Sequence, residues 1–212
     1  MQPHEGQPLV SAGLPLGQGH TVLIMVHGRN AAPANILDLV PRFGHSSVTA
    51  LAPTAAGRTW YPNSFMAECE TNEPGLSSGL GVLGGIVDDV IAAGVPTERI
   101  VLLGFSQGAC LASEFAARNP RRYGSIVAYS GGLIGPPGTT WESRGSFDDT
   151  PVFLGCSDVD GHVPKSRVEE SAEVLERMGA AVTMRLYEGM GHLVNDDEIT
   201  FTRQLLDALQ AT

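Results

Sequence analysis

Gly104-Phe105-Ser106-Gln107-Gly108 constrains local architecture more tightly than any other stretch of this chain. Ile100-Val101-Leu102-Leu103 precedes it, a short apolar, partly β-branched run that fits a buried strand. Residues 107–118 follow with helical character and stop at Asn119-Pro120, because the residue before a proline is driven out of the α region. A strand must therefore turn into a helix within a few residues, and the two glycines let neighbouring backbone pass close by. Such a turn pushes its serine outward, toward the positive end of the following helix, where a negative oxygen is favoured. A hydroxyl presented in this way can act as an acylatable nucleophile. With 26 glycines in 212 residues, random order gives a G-x-S-x-G with a probability of roughly 0.2. The flanking strand and helix give the pattern its weight.

The rest of the chain repeats the alternation. Residues 21–26 form a continuous apolar run, expected to be a strand buried on both faces. A loop, His27-Gly28-Arg29-Asn30, comes next, then a helix at 33–40 and a strand at 47–52. A turn-rich segment from Pro53 to about Ser77 carries Trp60, Tyr61, Phe65 and Met66. Leu76, Leu80, Leu83, Val87, Val90 and Ile91 keep helical spacing until Gly94. Strands are expected at 125–129, 151–155 and 181–187, with helices at 163–178 and 198–209. This order predicts an α/β fold with a mostly parallel central sheet and helices on both faces, in a single domain over 1–212. Gly79-Leu80-Gly81-Val82-Leu83-Gly84 matches a dinucleotide fingerprint, but loop-like residues 70–75 precede it where that fingerprint requires a strand. We read those glycines as helix-packing positions.

A chain with 42% hydrophobic and 17% charged residues is globular in composition. Its net charge of −10 argues against nucleic acid or anionic membrane as partners. Met1 to Gly6 lacks the basic and apolar regions of a signal peptide, and no apolar stretch reads as long enough for stable membrane insertion. Cys69, Cys110 and Cys156 are far apart and odd in number, which suits free thiols in a reducing cytoplasm.

A serine nucleophile needs a base, and histidine titrates near neutral pH. Of the six histidines, His4 and His20 precede the first strong strand, His45 lies in a turn, and His27 ends a strand where it would brace its loop. His162 and His192 remain. Reactive groups of a parallel sheet collect beyond the carboxyl ends of its strands. His192 lies there, after strand 181–187, in a glycine-flanked loop that could carry an imidazole toward Ser106; it is the expected base. The loop after strand 151–155 supplies the carboxylate that orients a base. Asp160 is preferred, with Asp158 as the alternative or a brace of the turn. His162 is assigned either to the surroundings of the triad or to the pocket rim, and no metal site is expected. The order Ser106, Asp160, His192 is that of the α/β-hydrolases. The oxyanion donors would be the backbone N–H groups of Gln107 and Arg29. The Arg29 guanidinium would contact an anionic substrate, stand solvated or join a surface ion pair.

Four segments carry a closer likeness: His27-Gly28-Arg29, Gly104 to Ala109, Asp160-Gly161-His162-Val163-Pro164, and Gly191-His192. From about Val22 to Leu206 the chain resembles the phospholipase/carboxylesterase branch of the α/β-hydrolases, which includes acyl-protein thioesterases. The resemblance implies an α/β-hydrolase fold with a minimal cap and a triad at Ser106, Asp160 and His192. It departs from the family pattern at Asn30, where many relatives have glycine, and at Gly161, where proline is common. Asparagine tolerates left-handed backbone best among the other residues.

The expected activity is hydrolysis of small-to-medium apolar acyl esters through an acyl-enzyme, without metal or organic cofactor. Trp60, Tyr61, Phe65, Met66 and His162 are the candidate substrate contacts. The expected partner is a small-molecule or lipid-like ester, with a homodimer as one admissible assembly. The same triad would serve a thioesterase or lysophospholipase acting on long acyl chains, and a non-catalytic ligand-binding member of the fold is a third reading.

Overall fold

Strand β2 (Thr21–Val26) is buried at every residue, and its alternating side chains feed two different cores. Val22, Ile24 and Val26 point into one cluster, and Leu23 and Met25 into the other. That division is the period of a strand with both faces covered. The structure is a computed structural model that describes residues 2–18, 21–142 and 145–210. His20 lies outside the described residues.

Among the described residues seven strands form one sheet: β1 (Leu9–Gly13), β2, β3 (Val48–Pro53), β4 (Ile100–Phe105), β5 (Ser125–Tyr129), β6 (Pro151–Ser157) and β7 (Ala181–Tyr187). Their spatial order is β1-β3-β2-β4-β5-β6-β7, with β1 antiparallel to β3 and every other pair parallel. The helices are α1 (Pro33–Leu37), α2 (Val40–Phe43), α3 (Gly75–Ala92), α4 (Gln107–Arg118), α5 (Lys165–Arg177) and α6 (Asp196–Gln210). Leu83 of α3, Leu111 of α4 and Leu175 of α5 fill the core on one face of the sheet. Ile36 of α1, Phe43 of α2, and Ile199 and Leu206 of α6 fill the other. The fold is that of an α/β-hydrolase.

Three expectations need adjusting. Strand β1 is short, exposed and without an apolar run, so its sequence carries no strand signal; β3 holds it as an antiparallel edge. The single helix expected at 33–40 is two, because Pro41 has no N–H for an intrahelical bond and its ring would clash with the carbonyl a turn earlier. Helix α3 is long and apolar enough, by length and composition, to cross a membrane, where no such stretch was expected. Its Leu76, Leu83, Val87 and Val90 are committed to the core.

Strand order reverses around β2, whose neighbours β3 and β4 follow from connections running to opposite sides, and a crevice at such a switch point is where α/β sheets bind ligands. Here the first turn of α4 presses onto the end of β2. A Cβ on Gly108 would stand 2.1 Å from the Val26 carbonyl oxygen, and one on Gly104 2.4 Å from the Gly108 carbonyl. Both obstacles are backbone and cannot rotate away. Gly108→Ala should therefore destabilise the protein by about 3 kcal/mol, measured by urea denaturation, because overpacking at a fixed backbone has no cheap relief.

Candidate active site

Ser106 sits between β4 and α4 with φ 56° and ψ −123°, a conformation that L-residues rarely adopt. The turn is held because the Ser106 N–H donates to the Tyr129 carbonyl at 2.9 Å while the helix begins at the next residue. Its side chain is thereby turned out of the backbone, and the Ser106 Oγ lies 2.8 Å from His192 Nε2. His192 comes from the loop between β7 and α6, where Gly189 and Gly191 both have positive φ. The ring is flanked by Phe105 and His162, with centroids 5.0 and 4.7 Å away.

Asp160, between β6 and α5, completes the line. Its Oδ2 is 2.7 Å from His192 Nδ1, and its side chain is fully buried. Its Oδ1 accepts the N–H groups of His162 at 2.8 Å and Val163 at 3.1 Å. A carboxylate can only accept, so Nδ1 carries the proton and Nε2 is left to accept from the serine hydroxyl. Burial pushes the Asp160 carboxyl up, but hydrogen bonds from His192 and the two backbone N–H groups outweigh it. The net effect holds the acid below its usual value and keeps it ionised.

A cavity of about 620 Å³ opens over Ser106, between the 28–31 loop, residues 61–65 and residues 161–163. Gly28, Arg29 and Gln107 line it beside the serine. Gln107 is the first residue of α4, so its N–H has no acceptor within the helix. Asn30 has φ 62°, the left-handed backbone anticipated for the residue that departs from the family's glycine. Among the described residues, no group of three His, Cys, Asp or Glu side chains is arranged to hold a metal ion.

Of the expected substrate contacts, Tyr61, Phe65 and His162 line the cavity. Trp60 and Met66 do not, which corrects that part of the sequence reading. Trp60 is fully buried beneath the loop, its indole N–H donating to the His27 carbonyl at 2.9 Å, and Met66 packs against the core. Arg29 is solvent-exposed, and its guanidinium donates to the carbonyls of Tyr61, Pro62 and Asn63 at 2.7–2.9 Å. His27 braces its loop as expected, with Nδ1 bonded to the Gly28 carbonyl and Nε2 accepting the Ala55 N–H. Burial lowers its pKa, so it remains neutral. Asp158 is the brace and not the partner of His192: its Oδ1 accepts the Gly189 N–H at 2.8 Å.

Several supports had no reading in the sequence. The Gln107 side chain accepts the Trp60 N–H and donates to the Tyr61 carbonyl, both at 2.8 Å. His4 accepts the Ala56 N–H on Nδ1 and donates from Nε2 to the Trp60 carbonyl. Glu198, fully buried behind the His192 loop, is pushed up to about 7 by its burial, against the pull of the Asn195 N–H. Only Glu198 had a local signal, since Asn195-Asp196-Asp197-Glu198 has the spacing of a capping box.

The family model for Phospholipase/Carboxylesterase matches residues 16–210. The chain is similar to acyl-protein thioesterase 1 of Eremothecium gossypii, at 28% identity over 91% of this chain and 84% of that protein. It is also similar to acyl-protein thioesterase 1 of Saccharomyces cerevisiae, at 30% identity over 61% of this chain and 58% of the other. The solved phospholipase/carboxylesterase of Dyadobacter fermentans superposes with a TM-score of 0.93 at 40% identity, covering 97% of this chain and 99% of that one.

Two outcomes test the arrangement. Asp160→Asn should lower kcat for an ester by on the order of 10³-fold or more through loss of the tautomer lock, whereas Asp158→Asn keeps an oxygen for Gly189 and should stay within about tenfold. Because the Glu198 pKa is raised from 4.5 to about 7 on folding, the folded chain holds that proton longer than the unfolded chain. Stability should therefore decline as pH rises across that window, and Glu198→Gln should remove this part of the slope in thermal melts.

Proposed function

This chain belongs to the phospholipase/carboxylesterase family, an esterase-type hydrolase family, and on that premise we propose that it is a serine hydrolase of small-to-medium apolar acyl esters working through an acyl-enzyme. The continuous line of hydrogen bonds from Ser106 Oγ to His192 to Asp160 carries this reading. Ser106 attacks the acyl carbonyl as its proton passes to His192 Nε2, and the buried Asp160 carboxylate stabilises the imidazolium. The oxyanion of the tetrahedral intermediate accepts from the N–H groups of Gln107 and Arg29. His192 then gives its proton to the leaving alkoxide, the carbon–oxygen bond breaks, and the acyl group remains on Ser106. Water, deprotonated by the same imidazole, hydrolyses that ester and returns the serine. These steps use only side chains and backbone of one hydrolase domain, with Tyr61, Phe65 and His162 walling the acyl or alcohol group. The three free cysteines suit a reducing, cytoplasmic setting.

A second reading rests on the likeness to the two acyl-protein thioesterases: the same centre could cleave long-chain thioesters or lysophospholipids. A series of esters and thioesters from acetyl to palmitoyl decides between them. We expect kcat/KM to be highest for short and medium esters, and a maximum at palmitoyl thioester would favour the second reading. Ser106→Ala should abolish turnover and labelling by a fluorophosphonate probe while leaving the melting temperature nearly unchanged. Failure of the wild-type protein to label at Ser106 would instead favour a ligand-binding protein without catalysis.

A further inference from the structure

Glu198 is a buried acid that the steps above do not use. Its Oε2 accepts the Asn195 N–H at 2.8 Å, and Asn195 Oδ1 accepts the Glu198 N–H at 2.9 Å. This reciprocal pair caps α6 three residues after His192. A surface cap of this kind contributes only about 1 kcal/mol and keeps its carboxylate in water. Here the glutamate is fully buried, with Oε1 lacking a partner among the described residues, and burial of a carboxyl group carries a desolvation cost. A cap alone does not require that cost.

The location of the carboxyl group suggests what it is for. It lies against β6 at Gly155, where a Cβ would stand 2.2 Å from Glu198 Oε1. Glycine at 155 is what makes room for it. The other end of the His192 loop is tied to the same strand: the Gly191 N–H donates to Ser157 Oγ at 3.1 Å, and the Gly189 N–H donates to Asp158 just beyond. Asp160 follows from that strand as well. Both ends of the segment that carries the imidazole are thus referenced to the element that delivers its carboxylate.

Building on the serine-hydrolase reading, we propose that Glu198 is a positioning residue for His192, seating the capped start of α6 against Gly155 so that the imidazole is held between Ser106 and Asp160. It touches neither substrate nor the reacting atoms and acts through the loop.

The test compares Glu198→Ala, Glu198→Gln and Asn195→Ala with wild type and with Ser106→Ala, measuring kcat and KM for a short-chain ester and the rate of fluorophosphonate labelling. Loss of the carboxyl group should lower kcat and the labelling rate at least tenfold with KM within twofold, because the cavity wall is untouched. Glu198→Gln, which keeps an acceptor for the Asn195 N–H, should restore kcat to within threefold of wild type. Asn195→Ala should lower kcat in the same direction, and it carries the test should Glu198→Ala fail to fold. Wild-type kcat in Asn195→Ala, or a loss confined to KM, would overturn the proposal. An inactive Ser106→Ala beside such results would remove the positioning role alone, whereas an active Ser106→Ala would remove the serine mechanism itself.

Discussion

The close approach of α4 to β2 is the constraint on which the rest of the site depends. Backbone meets backbone there, with no side chain between, because Gly104 and Gly108 leave that space empty. The contact brings the first turn of the helix against the end of β2, beside the 27–30 loop. Ser106 lies in the same turn with its rare backbone conformation, which the surrounding contacts must sustain. Ser106 and the proposed oxyanion donors thus flank one packing contact.

A second layer of order is built on top of that contact. The Tyr61 carbonyl accepts from the side chains of both Arg29 and Gln107. These are the two residues whose backbone N–H groups are proposed as oxyanion donors. Their side chains tie the loop after β2 and the start of α4 to one wall of the cavity as a hydrogen-bonded unit. His27 and Trp60, joined beneath by the indole hydrogen bond, fill the space under this unit.

What was legible in the sequence follows the same division between local and long-range causes. Strands β2, β5 and β7 and helix α4 were readable to the residue, because apolar and β-branched runs and a proline stop act locally. Ser106, Asp160 and His192 could be placed from strand ends and chain order, which a parallel sheet converts into proximity. Strand β1 could not be read, since its place comes from pairing with β3 and not from its own side chains. The fates of Trp60 and Arg29 depended on partners 33 residues away, such as the His27 carbonyl that receives the indole N–H. An aromatic in a long loop looks the same in sequence whether it faces a ligand or the core.

His4 gives this design an unusual reach. Its backbone N–H donates to Ser78 on α3, and its ring holds Ala56 and Trp60 from either side. The segment ahead of β1 is thus a guy-line for the residues that underlie the cavity wall beside Ser106. Trimming, tagging or cleaving the chain ahead of Leu9 would slacken that line. Such a preparation could keep every reactive group intact and still hydrolyse its substrate poorly.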